Sequence, residues 1–393
     1  MRSPYRFQKN TTSFAYFWSS GQGAVLLKRL GYLPEWEKAA ERIPLLFEVD
    51  TAADEVVTKL HGTVGFARGQ ELLAAYIAAP DSVPEGHRDL LHGFFASFPI
   101  EPEWLNRELL ADGLAFSQRS GISGLVVLRD YCLMGGYESA AINKPLVYTG
   151  ALKKGAVKRI AETVEFWVDV TGDDALNYGE IGFHAVMKTR MIHSFSRLNI
   201  LKYSDWNSDK WGMPLNFWDM LATNLGFSLV FLNGLSLMGI NPTQNEIKGV
   251  LHLWKYVGYL LGIPVNLLPD SEEQAIQELY YWTMTQAPGD ADSKALAHAL
   301  QEEPIRAFYP THRPGRWVMR EVHLFYNRFL LGNYSCNLLQ LDTTRIGKLA
   351  WFSVLKNKRT NRVSGGAASR SKLIRKGRRT HEEVKAIYLK WNR

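Results

Sequence analysis

Arg190, His193 and Arg197 are spaced three and four residues apart. In a helix that spacing sets two guanidiniums and an imidazole on one face. At a rise of ~1.5 Å per residue, the arginines sit roughly 4.5 Å and 6 Å along the axis on either side of the ring. Val186, Thr189 and Ile200 complete the stripe, so the face is mostly apolar with a charged centre. A surface helix has no reason to place such groups among its apolar positions, whereas a site for a flat, anionic ligand does. From spacing alone the competing reading is a histidine that satisfies a hydrogen bond in the core.

The element that must carry these residues is a helix from about Gly182 to Lys202, free of proline. Before it, the pattern predicts a helix over Lys154–Asp169 with Arg159 and Thr163 at i and i+4 and Glu162 beside them. After it comes an irregular loop, Trp206 to Pro214, rich in turn formers. Further helices are predicted over Trp36–Thr51, Asp54–Leu60, Gly69–Ala79, Glu103–Ser120, Leu125–Met134, Glu246–Leu261, Ser271–Thr285, Asp292–Gln301 and Arg316–Leu331. Period-two alternation is scarce, so the expected fold is all-α, one large helical domain. The aromatic, glycine-rich residues 1–36 are expected to wrap a surface. No charge occurs between Asp219 and Glu246. Thr223, Asn224, Ser228, Asn233 and Ser236 stud that stretch, which favours a helix buried in a large core over a membrane span.

Twelve tryptophans and a hydrophobic content of 46% supply material for a deep core. The two cysteines, Cys132 and Cys336, are too few for a disulfide framework and suit a reducing compartment. With no signal-peptide-like apolar run at the N-terminus, a cytoplasmic, membrane-peripheral location is expected. The formal charge of +7 is unevenly spread. Residues 356–393 hold thirteen Lys/Arg against two acids, which leaves 33 bases and 37 acids, or −4, for residues 1–355. The division expected is therefore a body, 1–355, and a basic, partly flexible tail, 356–393, whose loose start is Ser364 to Ser369. Such a tail is a solvated segment or a contact for an anionic membrane surface. No aromatic interleaves with the basic run before Tyr388 and Trp391, so no nucleic-acid partner is expected.

Several chemistries are excluded. The chain has no phosphate-binding Gly-x-x-x-x-Gly-Lys-Ser/Thr loop, no Gly-x-Gly-x-x-Gly after a strand and no Gly-x-Ser-x-Gly elbow. Paired Glu-x-x-His motifs for a di-iron bundle are missing as well. Glu180 and His184, four apart, read as a polar pair at a helix start rather than as metal ligands. The helix around His193 is left as the cofactor candidate.

Four blocks together resemble the latex-clearing protein family, the rubber oxygenase catalytic domain that includes MpaB-like oxygenases. They are Arg159-x-x-x-Thr163, Arg190-x-x-His193-x-x-x-Arg197, Trp206 through Asn216 continuing to Asp219, Thr223 and Ser228, and Trp254-x-x-x-Gly258 through Gly262-Ile263-Pro264 to Pro269. They span about residues 137–270. The resemblance implies a globin-like core holding one haem b, with His193 as the proximal iron ligand. It implies dioxygen and a small apolar substrate (a lipid, terpenoid or alkyl chain) as reactants. Arg190, Arg197 and Thr189 are the cofactor-binding candidates, the arginines toward the propionates; Arg159, Thr163 and Glu162 are the catalytic candidates. Latex-clearing proteins carry a lysine at the position of Glu162 and a glutamate at that of Asn143. The alternative is a haem or lipid carrier or sensor of the same fold without turnover.

Overall fold

The computed structural model describes residues 3–150, 155–307, 309, 311–344, 351–363 and 367–390. Helices carry the architecture throughout, and among the described residues the extended pairing is a single antiparallel bridge between Ser139 and Pro288. The all-α expectation holds. Twelve helices frame the site: α1 (Thr51–Val56), α2 (Arg107–Arg119), α3 (Gly121–Val127), α4 (Ala140–Tyr148), α5 (Ala156–Val170), α6 (Ile181–Tyr203), α7 (Phe217–Leu225), α8 (Gln244–Leu260), α9 (Glu272–Met284), α10 (Arg313–Leu338), α11 (Trp351–Val363) and α12 (Ala367–Leu389).

α6 is the axis. Its buried positions, Phe183, Val186, Met187, Arg190, Met191, Ser194, Arg197 and Ile200, recur at three and four residues and face α5 and α1. Start and stop agree with the predicted span to within a residue. The segment Phe217–Leu237, with a mean hydropathy of 1.5, is long and apolar enough to cross a membrane, yet 67% of it is buried inside the protein. Its polar groups bond inward: Asn224 Nδ2 donates to Trp254 O at 2.7 Å, and Asn233 Nδ2 to the Tyr131 hydroxyl at 3.0 Å. Polar side chains that meet partners in the core fit a helix buried within the fold.

The N-terminal segment does more than wrap a surface. Arg6, 2% exposed, reaches Asp219 of α7 with two bonds of 2.7 Å. The same carboxylate accepts from Trp282 Nε1 at 3.0 Å and from Asn216 Nδ2 at 2.8 Å. Four donors on one buried carboxylate compensate its desolvation and pin residues 3–10 to the core.

The tail departs furthest from expectation. Residues 367–389 form α12, which lies along α2, α3 and α5. Gly377, His381 and Tyr388 are buried with Val384 half-buried between them, a stripe at i, i+4, i+7 and i+11 that the run of basic residues hides in the sequence. His381 Nε2 meets Gly121 O at 2.9 Å, the Tyr388 hydroxyl donates to Glu303 Oε1 at 3.1 Å, and Lys385 pairs with Asp169. A boundary at 355/356 is therefore not a domain boundary: α12 closes the same core. The loose start at Ser364–Gly366, Lys154 of the predicted α5 start and Trp391 lie outside the described residues. A Cβ on Gly377 would stand 1.9 Å from Gln118 O. Gly377→Ala should consequently lower the melting temperature and open residues 367–390 to limited proteolysis, at a cost of ~1–3 kcal/mol from overpacking. An unchanged digest would contradict the docked position of α12.

Candidate functional site

The two arginines of the central helix are engaged by carboxylates that lie one helical turn apart on α1. Asp50 caps α1 by accepting from Ala53 N–H, and the same side chain receives Arg190 Nε at 2.6 Å and Nη2 at 3.1 Å. Asp54 takes Arg197 Nη2 at 2.5 Å, Arg197 Nε at 3.1 Å and the Ser194 hydroxyl at 2.5 Å. Both guanidiniums also donate to backbone carbonyls, Arg190 to Leu260 O and Arg197 to Leu215 O and Asp50 O. Phe94 and Phe98 cover Arg190, with ring centroids 4.8 Å and 4.7 Å from the guanidinium carbon. These are internal braces. The expected role of Arg190 and Arg197 toward propionates is corrected: their charge is already neutralised within the protein, and 5% and 0% exposure leaves them no open side.

The brace explains one of the sequence motifs. Gly262, in Leu261-Gly262-Ile263-Pro264, has φ of 89° and ends α8 beside the Arg190–Asp50 pair. A Cβ there would lie 2.3 Å from Asp50 Oδ2 and 2.9 Å from Arg190 Nε. Only glycine allows both that backbone and that approach.

His193 is different. Its ring lies on the flank of α6 between Thr189 and Ser196, away from the buried stripe, and all three residues are half-buried. Nδ1 is fully enclosed without a hydrogen-bond partner, and no hydrogen bond to either ring nitrogen occurs among the described residues. Burial, reinforced by the Arg197 charge, pushes the imidazole pKa down to about 4, against the opposing pull of Asp50. At neutral pH the imidazole is uncharged with a free lone pair, the protonation state a metal ligand needs.

α5 packs on α6 and brings Arg159 and Thr163 to its half-buried side. Arg159 has no carboxylate partner among the described residues, and its Nε is a second enclosed polar atom without a hydrogen bond. The Thr163 hydroxyl donates to Arg159 O at 2.9 Å, which leaves its lone pairs unused. Glu162 points the other way. Its side chain is 60% exposed and sits 3.9 Å from Lys158 on the outer face, so the expected catalytic role is corrected: it follows Ala161 round the helix, out of the interior. Asn143 is a bracket, its Nδ2 donating to Ser139 O at 2.7 Å, Tyr137 O at 3.2 Å and Ser293 Oγ at 3.2 Å. Glu180 and His184 share a backbone bond at the start of α6, and no cluster of three or more metal-ligating side chains occurs among the described residues. A lone neutral imidazole is the kind of donor that an iron already held by a macrocycle takes from a protein.

Sequence reasoning missed Asp50 and Asp54. The signal was present, two carboxylates four apart at a helix start, but nothing local links them to residues 140 positions later. Glu138 was also missed: 5% exposed, with Oε2 unpartnered, its carboxyl is pushed up to about 7 by burial.

The family model for the ER-bound oxygenase mpaB/B′ and rubber oxygenase catalytic domain matches residues 122–355, and the chain belongs to this oxygenase family. That span is wider than the 137–270 carried by the motifs and takes in α3 to α10 and the start of α11. A solved structure of latex clearing protein LCP in the closed state shares the fold, with a TM-score of 0.61 over 86% of this chain and 91% of that one at 18% identity. No curated protein matches the chain.

Proposed function

We propose that the chain is a haem b-dependent oxygenase that acts on a small apolar molecule, with His193 as the proximal iron ligand. The observation that carries this is the His193 ring: half-buried, held neutral at physiological pH by desolvation, and with no hydrogen bond to its nitrogens among the described residues. Haem, when bound, supplies the iron at which dioxygen is activated. His193 would hold the iron and fix the haem against α6. Thr189, half-buried one turn earlier on the same flank, would border the macrocycle. With Arg190 and Arg197 committed to α1, the cation left for an anionic edge or for developing negative charge is Arg159. Thr163, whose hydroxyl donates to Arg159 O, would supply a polar group on the α5 side of such a site. Half-buried Phe166, Phe195 and Leu198 on the same two helices favour an apolar substrate over a charged one.

The test is oxygen uptake by haem-supplemented protein offered lipids, terpenoids and long-chain alkanes. Turnover of at least one class is expected. Thr163→Val should leave the haem absorption unchanged and slow oxygen uptake by ~10- to 100-fold, within the range for loss of a positioned polar group. Haem binding without oxygen uptake on any class would support the second reading, a carrier or sensor. The bracketed Asn143 and the outward Glu162, where latex-clearing proteins have acid and base, are the observations that favour it.

A further inference from the structure

We propose that α11 is a docking face for an anionic lipid membrane. The helix is anchored on one side. Val354 is fully buried, Asn357 Nδ2 donates to Ser123 Oγ at 2.9 Å and Met238 O at 3.0 Å, and the Tyr326 and Ser353 hydroxyls meet at 2.7 Å. The Trp351 ring rests edge-on against Phe329 with centroids 4.9 Å apart. Its opposite side is what needs an explanation. Phe352 is 70% exposed, Leu355 57% and Trp351 44%. Phe352, Leu355, Lys356 and Arg359 follow the i, i+3, i+4, i+7 spacing of one helical face, with Lys358 exposed beside them. Lys356, Lys358 and Arg359 have no carboxylate partner among the described residues.

An apolar end and a cationic row on one ordered face is the pattern of a helix lying in a lipid interface: the rings and Leu355 enter the acyl boundary, and the long cationic side chains reach back to the headgroups. Three alternatives fit less well. A solvated helix explains the lysines but not three large apolar side chains held in water. A second copy of this chain, packed about a two-fold axis, would set Lys356 and Arg359 against their own counterparts. Nucleic acid would use the charge and the rings but has no use for Leu355 between them. Docking by α11 asks nothing of His193 and stands apart from the haem reading.

The experiment is co-sedimentation of the full chain with vesicles of phosphatidylcholine, with and without 30% phosphatidylserine. Binding to the anionic vesicles, weakened by salt, and little binding to the neutral ones are expected. Each surface cation contributes about fivefold in partitioning, so Lys356→Gln, Lys358→Gln and Arg359→Gln together should weaken it ~100-fold. Phe352→Ser with Leu355→Ser should weaken it at least ~10-fold, with an unchanged melting temperature because both positions face outward. Wild-type protein that stays in the supernatant with anionic vesicles at low salt overturns the proposal, as does binding that both variants retain. If light scattering finds a dimer that Phe352→Ser with Leu355→Ser dissociates, or if an oligonucleotide but no vesicle is bound, the face serves a different partner and the proposal fails.

Discussion

Arg197→Ala should destabilise the protein by about 3–5 kcal/mol, the usual cost of removing one member of a buried ion pair. The guanidinium makes two bonds to Asp54 and two to backbone carbonyls at 0% exposure. Truncation leaves the Asp54 carboxylate with the Ser194 hydroxyl alone and opens a void between α1 and α6. Removing both charges, in Arg197→Leu with Asp54→Asn, should recover more than half of the loss, because no uncompensated charge is left behind. Urea denaturation of the single and double variants measures this directly. If Arg197 were instead held for a propionate, the single variant would keep its stability without haem and lose only haem affinity.

Acid should unfold the chain through a window set by two imidazoles. His193 and His381 titrate near 6.5 when exposed and at about 4 in the native protein, each lowered chiefly by burial. Between those values the unfolded chain binds protons that the native one refuses. Stability is therefore complete above about pH 6.5 and declines as pH falls toward 4. Each group accounts for roughly 3 kcal/mol across the window. Glu138 works in the opposite sense: its carboxyl, pushed up to about 7 from 4.5, contributes stability at low pH that is lost as pH rises through 7. One such group offsets one imidazole, so a net loss on the order of 3 kcal/mol between pH 6.5 and 4 is expected. His381→Gln, which can still reach Gly121 O, should flatten the decline. Stability that stays level from pH 7 to pH 4.5 would contradict the enclosed, neutral state of both rings.

How far the sequence could be read follows from what each residue depends on. α6 was legible because its stripe is local: three- and four-residue spacing locates the axis and marks Arg190, His193 and Arg197 as anomalous. What those anomalies meet was not local. Two arginines on an apolar face signal compensation, but the spacing cannot say whether an anionic ligand or Asp50 and Asp54 provides it; in this fold the aspartates do. His193 stays a candidate ligand because no hydrogen bond to its ring nitrogens occurs among the described residues. Glu162 was drawn in by proximity to Arg159 and Thr163, although one residue along a helix turns a side chain by about 100°. The tail was misread for a physical reason too. Thirteen bases dominate its composition, while the inward stripe of Gly377, His381, Val384 and Tyr388 contains only one aliphatic side chain and one aromatic ring. Motif residues Gly262, Asp219 and Asn216 turn out to brace the frame around the site rather than to line it.

The measurement that bears most directly on the account is the absorption spectrum of purified protein titrated with haem, wild type beside His193→Ala. A Soret band saturating at one haem per wild-type chain, and its loss in a variant that keeps the helical circular dichroism, is the predicted result. A variant whose Soret band matches the wild type in position and stoichiometry, or a folded wild type that develops none, would contradict it.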